Sequence, residues 1–229
     1  LFRNTISNES KYLPESNRYH LYVSYACPWA HRVLIMRELK KLNKHISVDV
    51  VHPDMLNKGW SFYKNFPGTT GDRLNKKQYL HEIYQTHQKK LTSKVTVPVL
   101  WDKKTNTIVN NESSEILRIF NANFNKVTKN FDDYYPLNLK DKIDRINEDV
   151  YNNINNGVYK TGFAKSQKAY EKSVINLFEC LDRIENILSK NKYLAGSILT
   201  EADIRLITTL IRFDLVYHYH FKCNLKKIS

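Results

Sequence analysis

"YVSYACPWAHRVLIMRELKKL", residues 22–42, is the stretch whose reading decides the fold. A run with strand character, Tyr19-His20-Leu21-Tyr22-Val23, leads into a cysteine that is followed at once by proline. Val33, Leu34, Met36, Leu39 and Leu42 then recur at helical spacing. Pro28 fits just inside the start of that helix, where the N–H it lacks would have had no intrahelical partner. Cys27 therefore falls at the N-cap, at the positive end of the helix dipole and among unpaired backbone N–H groups.

Working outward, Ile46–Val51 is β-branched and reads as a second strand. Residues 52–93 read as irregular, with turn signals at Pro53, Gly59, Pro67-Gly68 and Gly71 and a short helix after Leu74 that includes Tyr79, Leu80 and Ile83. "KVTVPVLWD", residues 94–102, reads as a strand interrupted by Pro98, which cannot donate to a ladder; the pattern predicts an edge strand and a cis peptide at a tight corner. "TNTIVNNESSEILRIF", residues 105–120, predicts turn, short strand, then a helix with Ser113 or Ser114 near its start. Residues 19–121 thus form an α/β unit, preceded by a polar arm over 1–18.

Beyond a boundary at 121–134 the pattern turns helical, giving a second, all-α domain over 134–229. Leu137–Val150 is expected to continue to about Asn156, with Gly157 ending it. Residues 166–189 carry one apolar stripe: Val174, Leu177, Phe178, Leu181, Ile184 and Leu188. In "LTEADIRLITTLIRF", residues 199–213, Thr200 and Asp203 have capping-box spacing.

The chain has 229 residues, 41% of them hydrophobic, enough for a substantial core and against global disorder. No apolar run approaches the length of a membrane span, which argues against a membrane partner. The net charge is +13, but its lysines are dispersed along the chain rather than gathered in blocks with interleaved aromatics, which argues against a nucleic-acid partner. Three cysteines, Cys27, Cys180 and Cys223, are too few and odd in number for a disulfide scaffold and fit a reducing, cytoplasmic setting.

A helix start favours the thiolate, the form that attacks sulfur. Position and the flanking proline alone leave two alternatives, a reactive thiolate and a packed, inert cysteine. In a C-x-x-C pair the second cysteine resolves the mixed disulfide; here Ala30 takes that place, so an external thiol such as glutathione must finish any cycle.

The segments "SYACPWAHRVLIMRELKKL", "GW" at 59–60, "VTVPVLWDKKTNTIVNNESSEI", "NNGVYKTGFA" and "LTEADIRLITTLIRFDLVYHYHFKCN" resemble the Xi-class glutathione transferases. These are the glutathionyl-hydroquinone reductases, related to the omega class. The resemblance runs from about residue 18 to the end of the chain. It implies a thioredoxin-like N-terminal domain, a helical C-terminal domain of glutathione-transferase type, a homodimer, and glutathione as co-substrate. It also implies roles. Cys27 aligns with the nucleophile and Trp60 with an indole that packs on glutathione. Val97, before Pro98, aligns with the backbone that pairs with the cysteinyl unit. Glu112 aligns with the acceptor of the γ-glutamyl ammonium, and Ser113 with the holder of its carboxylate. Lys94 stands where the family commonly has Arg, whose planar fork an ammonium does not reproduce. Tyr159 aligns with a proton donor to the phenolic product, and Tyr217 with a hydrogen-bond donor toward the cysteine sulfur. Family members continue through further helices after "HFKCNLKKIS", so the helical domain is expected to be a partial or shortened one.

Other motifs carry less. "HEIYQTH", residues 81–87, lacks the H-E-x-x-H spacing and is not read as a metal site. His218, His220 and Cys223 form a loose cluster read as structural, His31 as a surface or interdomain contact, and Cys180 as packing. The expected activity is removal of glutathione from glutathionyl-hydroquinones. The alternatives are an omega-like thiol transferase or dehydroascorbate reductase, and an inactive glutathione-binding module.

Overall fold

The computed structural model describes residues 2–87 and 94–229. They divide into two compact units, Leu1–Asp132 and Asp133–Ser229. The first unit runs β1 (Tyr19–Val23), α1 (Pro28–Leu39), β2 (Ile46–Val50), α2 (Leu80–His87), β3 (Val99–Asp102), β4 (Thr107–Asn110), α3 (Ser113–Asn123) and a short α4 (Asn125–Thr128). Its four-stranded sheet has the order β2-β1-β3-β4. The β1–β2 pair is parallel, and β1–β3 and β3–β4 are antiparallel. Every residue of β1 is buried, as befits a strand covered on both faces.

Alternation along β1 divides the packing. Tyr19 meets Phe124 edge to face, and Phe124 in turn meets Phe120 of α3. Tyr22 faces the opposite way, toward the excursion between β2 and α2. Its ring meets Phe62, its hydroxyl donates to Asp72 Oδ1 at 3.2 Å, and Asn75 Nδ2 donates to it at 2.7 Å. Asp72 holds the excursion in shape by accepting from the backbone N–H groups of Leu74, Asn75 and Lys77. The excursion is therefore irregular in path but fixed by buried polar contacts; residues 88–93, the last of the irregular stretch expected over 52–93, lie outside the described residues.

In this unit two expectations need correction. The segment around Pro98 is not an edge: β3 pairs with β1 on one side and β4 on the other. Pro98 is harmless because it precedes the strand, whose first residue is Val99, so no ladder donor is lost. The Val97–Pro98 peptide is cis. The arm is not merely polar loop either. Phe2, Ile6 and Tyr12 are buried, and Arg3 bridges Asn110 in antiparallel fashion, extending the sheet beyond β4.

The second unit contains α5 (Lys140–Val150), α6 (Gly157–Gly162), α7 (Gln167–Leu188), α8 (Glu201–Leu210) and a single turn, α9 (His218–His220). Gly157 opens α6 rather than ending α5. A π-turn, Tyr151–Asn155, joins the two helices and re-aims the chain. The stripe of α7 packs Val174, Leu177, Phe178, Cys180, Leu181 and Ile184 into the core, while Leu188 is left more exposed at the helix end. The capping box forms as its spacing predicts. Thr200 N donates to Asp203 Oδ2 at 2.9 Å, and Asp203 also accepts from Leu194 N at 2.8 Å.

Between β1 and β2 a buried polar cluster ties the sheet to the excursion. His20 Nδ1 lies 2.7 Å from Ser47 Oγ, and its Nε2 lies 3.2 Å from Asp49 Oδ2. Arg73 donates to Asp49 through Nε at 2.6 Å and through its backbone N–H at 2.7 Å. Burial pushes the Asp49 carboxyl up, but the hydrogen bonds from His20 and Arg73 outweigh it and bring it down to about 2. A carboxyl lower in the folded state than in the unfolded chain contributes stability above about pH 4, and that contribution is lost as pH falls toward 2. Denaturant unfolding at pH 6 and at pH 2.5 should therefore show Asp49→Asn losing about 2 kcal/mol less than the unsubstituted protein over that interval.

Candidate active site

Cys27 sits where the sequence places it. It is the N-cap of α1, with extended backbone (φ −83°, ψ 117°), and Pro28 is the first helical residue. Its N–H donates to Ser24 O at 3.1 Å and its carbonyl accepts from His31 N at 3.0 Å, so a closed turn holds the residue at the mouth of the helix. The side chain caps no backbone donor of its own helix. The sulfur is half-buried and lies 3.7 Å from the carbonyl oxygen of Val97, to which its S–H donates. Cys27 and the cis Val97–Pro98 corner, 70 residues apart in sequence, are thus brought together across the sheet. The orphan N–H groups and the dipole of α1 favour negative charge at this sulfur.

The start of α3 supplies a second anion-favouring end. Glu112 itself is the N-cap: its Oε1 accepts from Ser114 N at 3.1 Å and from the Ser114 hydroxyl at 3.0 Å. Ser113, expected near the start, is the first helical residue; it is buried, with its hydroxyl 3.4 Å from the same oxygen. Glu112 and Ser113 are therefore adjacent and ordered. Trp60 is half-buried in the excursion, just after Gly59, whose φ of +75° only glycine adopts without strain. The Trp60 carbonyl accepts from Leu80 N at 2.9 Å, pinning it to the start of α2. Lys94 is exposed.

Tyr159 and Tyr217 belong to the second unit, where they come together. Their ring centroids are 6.1 Å apart, and Phe221 meets both edge to face, at 5.5 Å from Tyr159 and 5.3 Å from Tyr217. Gly162 makes room for this cluster, since a Cβ there would stand 2.4 Å from the Phe221 ring. Tyr217 is buried, at the end of a second π-turn, Phe213–Tyr217; Tyr159 is half-buried in α6.

The other two cysteines are chemically quiet. Burial pushes the thiols of both Cys180 and Cys223 up to about 12. Cys223 lies against Val158 O at 3.8 Å, next to Tyr159, and stitches the tail to α6. Both histidines of "HEIYQTH" make other contacts. His87 Nδ1 accepts from Ile108 N at 3.0 Å, and His81 stacks on Tyr79. The residue that sequence reasoning missed is Arg3, which reaches Glu112 and Glu115 at the start of α3. The signal for it was the even spacing of Phe2 and Ile6, which puts both on one face of an extended segment.

Comparison with known proteins yields consistent matches. The family profile for the glutathione S-transferase N-terminal domain matches residues 26–123, and that for the C-terminal domain matches 167–227. The chain is 55% identical over 218 residues to the glutathionyl-hydroquinone reductase YqjG of Escherichia coli, covering 95% of this chain and 66% of the relative's length. The glutathione-bound structure of that E. coli protein superposes with a TM-score of 0.99 at 52% identity, over 100% of this chain and 77% of the other. The glutathione transferase Xi of Phanerochaete chrysosporium superposes with a TM-score of 0.96 at 53% identity, over 100% of this chain and 78% of the other.

Alkylation distinguishes the three cysteines directly. At pH 8 iodoacetamide should label Cys27 in the folded protein and leave Cys180 and Cys223 unmodified, with peptide mass spectrometry as the readout. Labelling of the latter two should appear only after denaturation, because burial keeps both protonated and shielded.

Proposed function

Because the chain belongs to the Xi class of the glutathione transferases, we propose that it removes glutathione from glutathionyl-hydroquinones, with Cys27 as the nucleophile. The single observation that carries this reading is the Cys27 sulfur at the start of α1, 3.7 Å from the Val97 carbonyl beside the cis proline, with Ala30 where a resolving cysteine would stand.

The reaction proceeds in two displacements. Cys27 thiolate attacks the thioether sulfur of the conjugate. The bond between that sulfur and the ring carbon breaks, and its electron pair goes to the ring, which takes up a proton and leaves as the hydroquinone. Cys27 is now joined to glutathione through a disulfide. The thiolate of a second glutathione attacks the glutathione sulfur of that bond, releasing glutathione disulfide and restoring Cys27 thiolate. The ring carbon is reduced by two electrons and the two glutathione sulfurs supply them. No protein thiol is needed beyond Cys27, which agrees with the distance in sequence to Cys180 and Cys223 and with their burial.

Glutathione is held through its backbone along Val97 as an added strand, with its γ-glutamyl ammonium on Glu112 and its α-carboxylate on Ser113 and the N–H groups that open α3. Trp60 packs on the tripeptide, and Lys94 supplies a point charge near it. On the family resemblance, Tyr159 is assigned the proton for the departing ring and Tyr217 the support of the nucleophile's thiolate form. The same reading makes the protein a cytoplasmic homodimer; its free cysteines suit a reducing compartment. Among the described residues no helix is long and apolar enough to cross a membrane.

Steady-state assays with glutathionyl-menadiol and with a glutathione mixed disulfide test the assignment. The hydroquinone conjugate should be turned over with the higher kcat/KM; rapid turnover of the mixed disulfide with negligible activity on the conjugate would point instead to an omega-like thiol transferase. Cys27→Ala should abolish both activities. Tyr159→Phe should lower kcat on the conjugate about a hundredfold and leave the mixed-disulfide reaction, which needs no proton on carbon, largely unchanged.

A further inference from the structure

Residues 2–6 run along the outer edge of β4. Asn4 N donates to Val109 O at 3.0 Å and Asn111 N to Phe2 O at 3.2 Å, with Phe2 and Ile6 buried beneath. Asn110 Nδ2 donates to Asn4 O at 3.1 Å, and Asn123 Nδ2 to Ile6 O. This added strand carries the Arg3 guanidinium to the first turn of α3. There Nη1 lies 2.5 Å from Glu115 Oε1 and Nη2 lies 3.7 Å from Glu112 Oε2. Asn110 Nδ2 holds the other oxygen of Glu115 at 2.7 Å. Glu112 is fixed from its other side, through the Ser114 contacts to Oε1.

Two carboxylates three residues apart on one helix face would give this end a charge of two; the guanidinium reduces it to one. The γ-glutamyl end of glutathione is an amino-acid zwitterion, an ammonium beside a carboxylate. A single negative charge next to the helix-start N–H groups complements that pair. A second, uncancelled carboxylate would repel the ligand's own.

We propose that Arg3 is a positioning residue for the γ-glutamyl end of glutathione: it neutralises Glu115 and steadies Glu112, so that the start of α3 presents one acceptor for the ammonium and leaves the carboxylate subsite unopposed. The inference rests on the glutathione reading above. It makes the N-terminal strand part of the binding site's architecture, although Arg3 itself does not touch the reacting atoms.

Calorimetric titration of the whole chain with glutathione tests it. Arg3→Gln, which keeps a hydrogen-bonding side chain but no charge, should weaken binding about tenfold, the scale of one like-charge contact at the protein surface. Arg3→Lys should recover most of that loss. So should Glu115→Gln placed in the Arg3→Gln background, because it removes the charge left uncancelled. Unaltered binding by Arg3→Gln overturns the proposal. So does a loss that neither the lysine nor the double variant recovers, since that is the signature of a strand that has come away from β4. If the unsubstituted protein does not bind glutathione at all, this inference falls together with the glutathione reading; binding without hydroquinone turnover overturns only the reaction assigned above.

Discussion

The proposed chemistry depends on one constraint: a cysteine that opens a helix is held against the backbone corner that opens a different strand. Cys27 leads α1 and Val97 leads into β3, and the sulfur of one lies 3.7 Å from the carbonyl of the other. Neither position is set locally. α1 follows β1, whose residues are all buried, and β3 pairs directly with β1 in antiparallel register, Tyr22 opposite Val99 and Tyr19 opposite Asp102. The far end of that pair is locked by a buried bidentate ion pair. Arg18 Nε and Nη2 donate to the two oxygens of Asp102 at 2.9 and 2.8 Å. Loss of Arg18 would leave the buried Asp102 carboxylate without its ion-pair partner, at a cost of about 3–5 kcal/mol. The corner formed by Cys27 and Val97 thus sits at the end of a strand pair that is buried throughout.

The helical unit organises its aromatic cluster by similar means. A π-turn precedes α6 and another ends at Tyr217, and each interrupts regular helix next to a tyrosine. Asn155, in the first of these turns, is buried and donates to Thr209 Oγ1 at 2.8 Å and to Arg205 O at 3.2 Å, fastening the turn to α8. Phe221 then fills the space that Gly162 leaves and touches both tyrosines. A small residue at one position and a bent helix at another are what allow two tyrosines to share one cluster.

Much of this was legible in the sequence wherever a periodic pattern and a chemical marker coincide. β1, the Cys27–Pro28 helix start, the stripe of α7 and the Thr200–Asp203 capping box all have both. Three features were not legible, each for a physical reason. Pro98 signals a broken ladder, but its consequence depends on whether the strand begins before or after it, and a single proline does not say which. The arm carries Leu1, Phe2 and Ile6 as the apolar residues of its first six, a pattern too irregular to reveal a strand whose pairing partner lies over a hundred residues away. Glu112 rather than a serine caps α3 because its longer side chain folds back on Ser114, a choice that residue preference at N-caps argues against. Among the candidate site residues, the helix start at Cys27 and the cis corner at Pro98 were legible in the residues themselves, whereas the reactive role of Cys27 and the binding role of Val97 came from the family resemblance. Tyr159 and Tyr217 were distinguishable from the other tyrosines of the chain only through the family resemblance.

The central claim is that Cys27 alone carries the glutathionyl group between two displacements. Rapid-quench intact-protein and peptide mass spectrometry tests it most directly, after mixing the reduced protein with one equivalent of glutathionyl-menadiol in the absence of free glutathione. The account predicts free menadiol in stoichiometric amount and a single glutathione attached through a disulfide at Cys27, discharged on adding glutathione. Menadiol release with no adduct, or an adduct at Cys180 or Cys223 in place of Cys27, would contradict it.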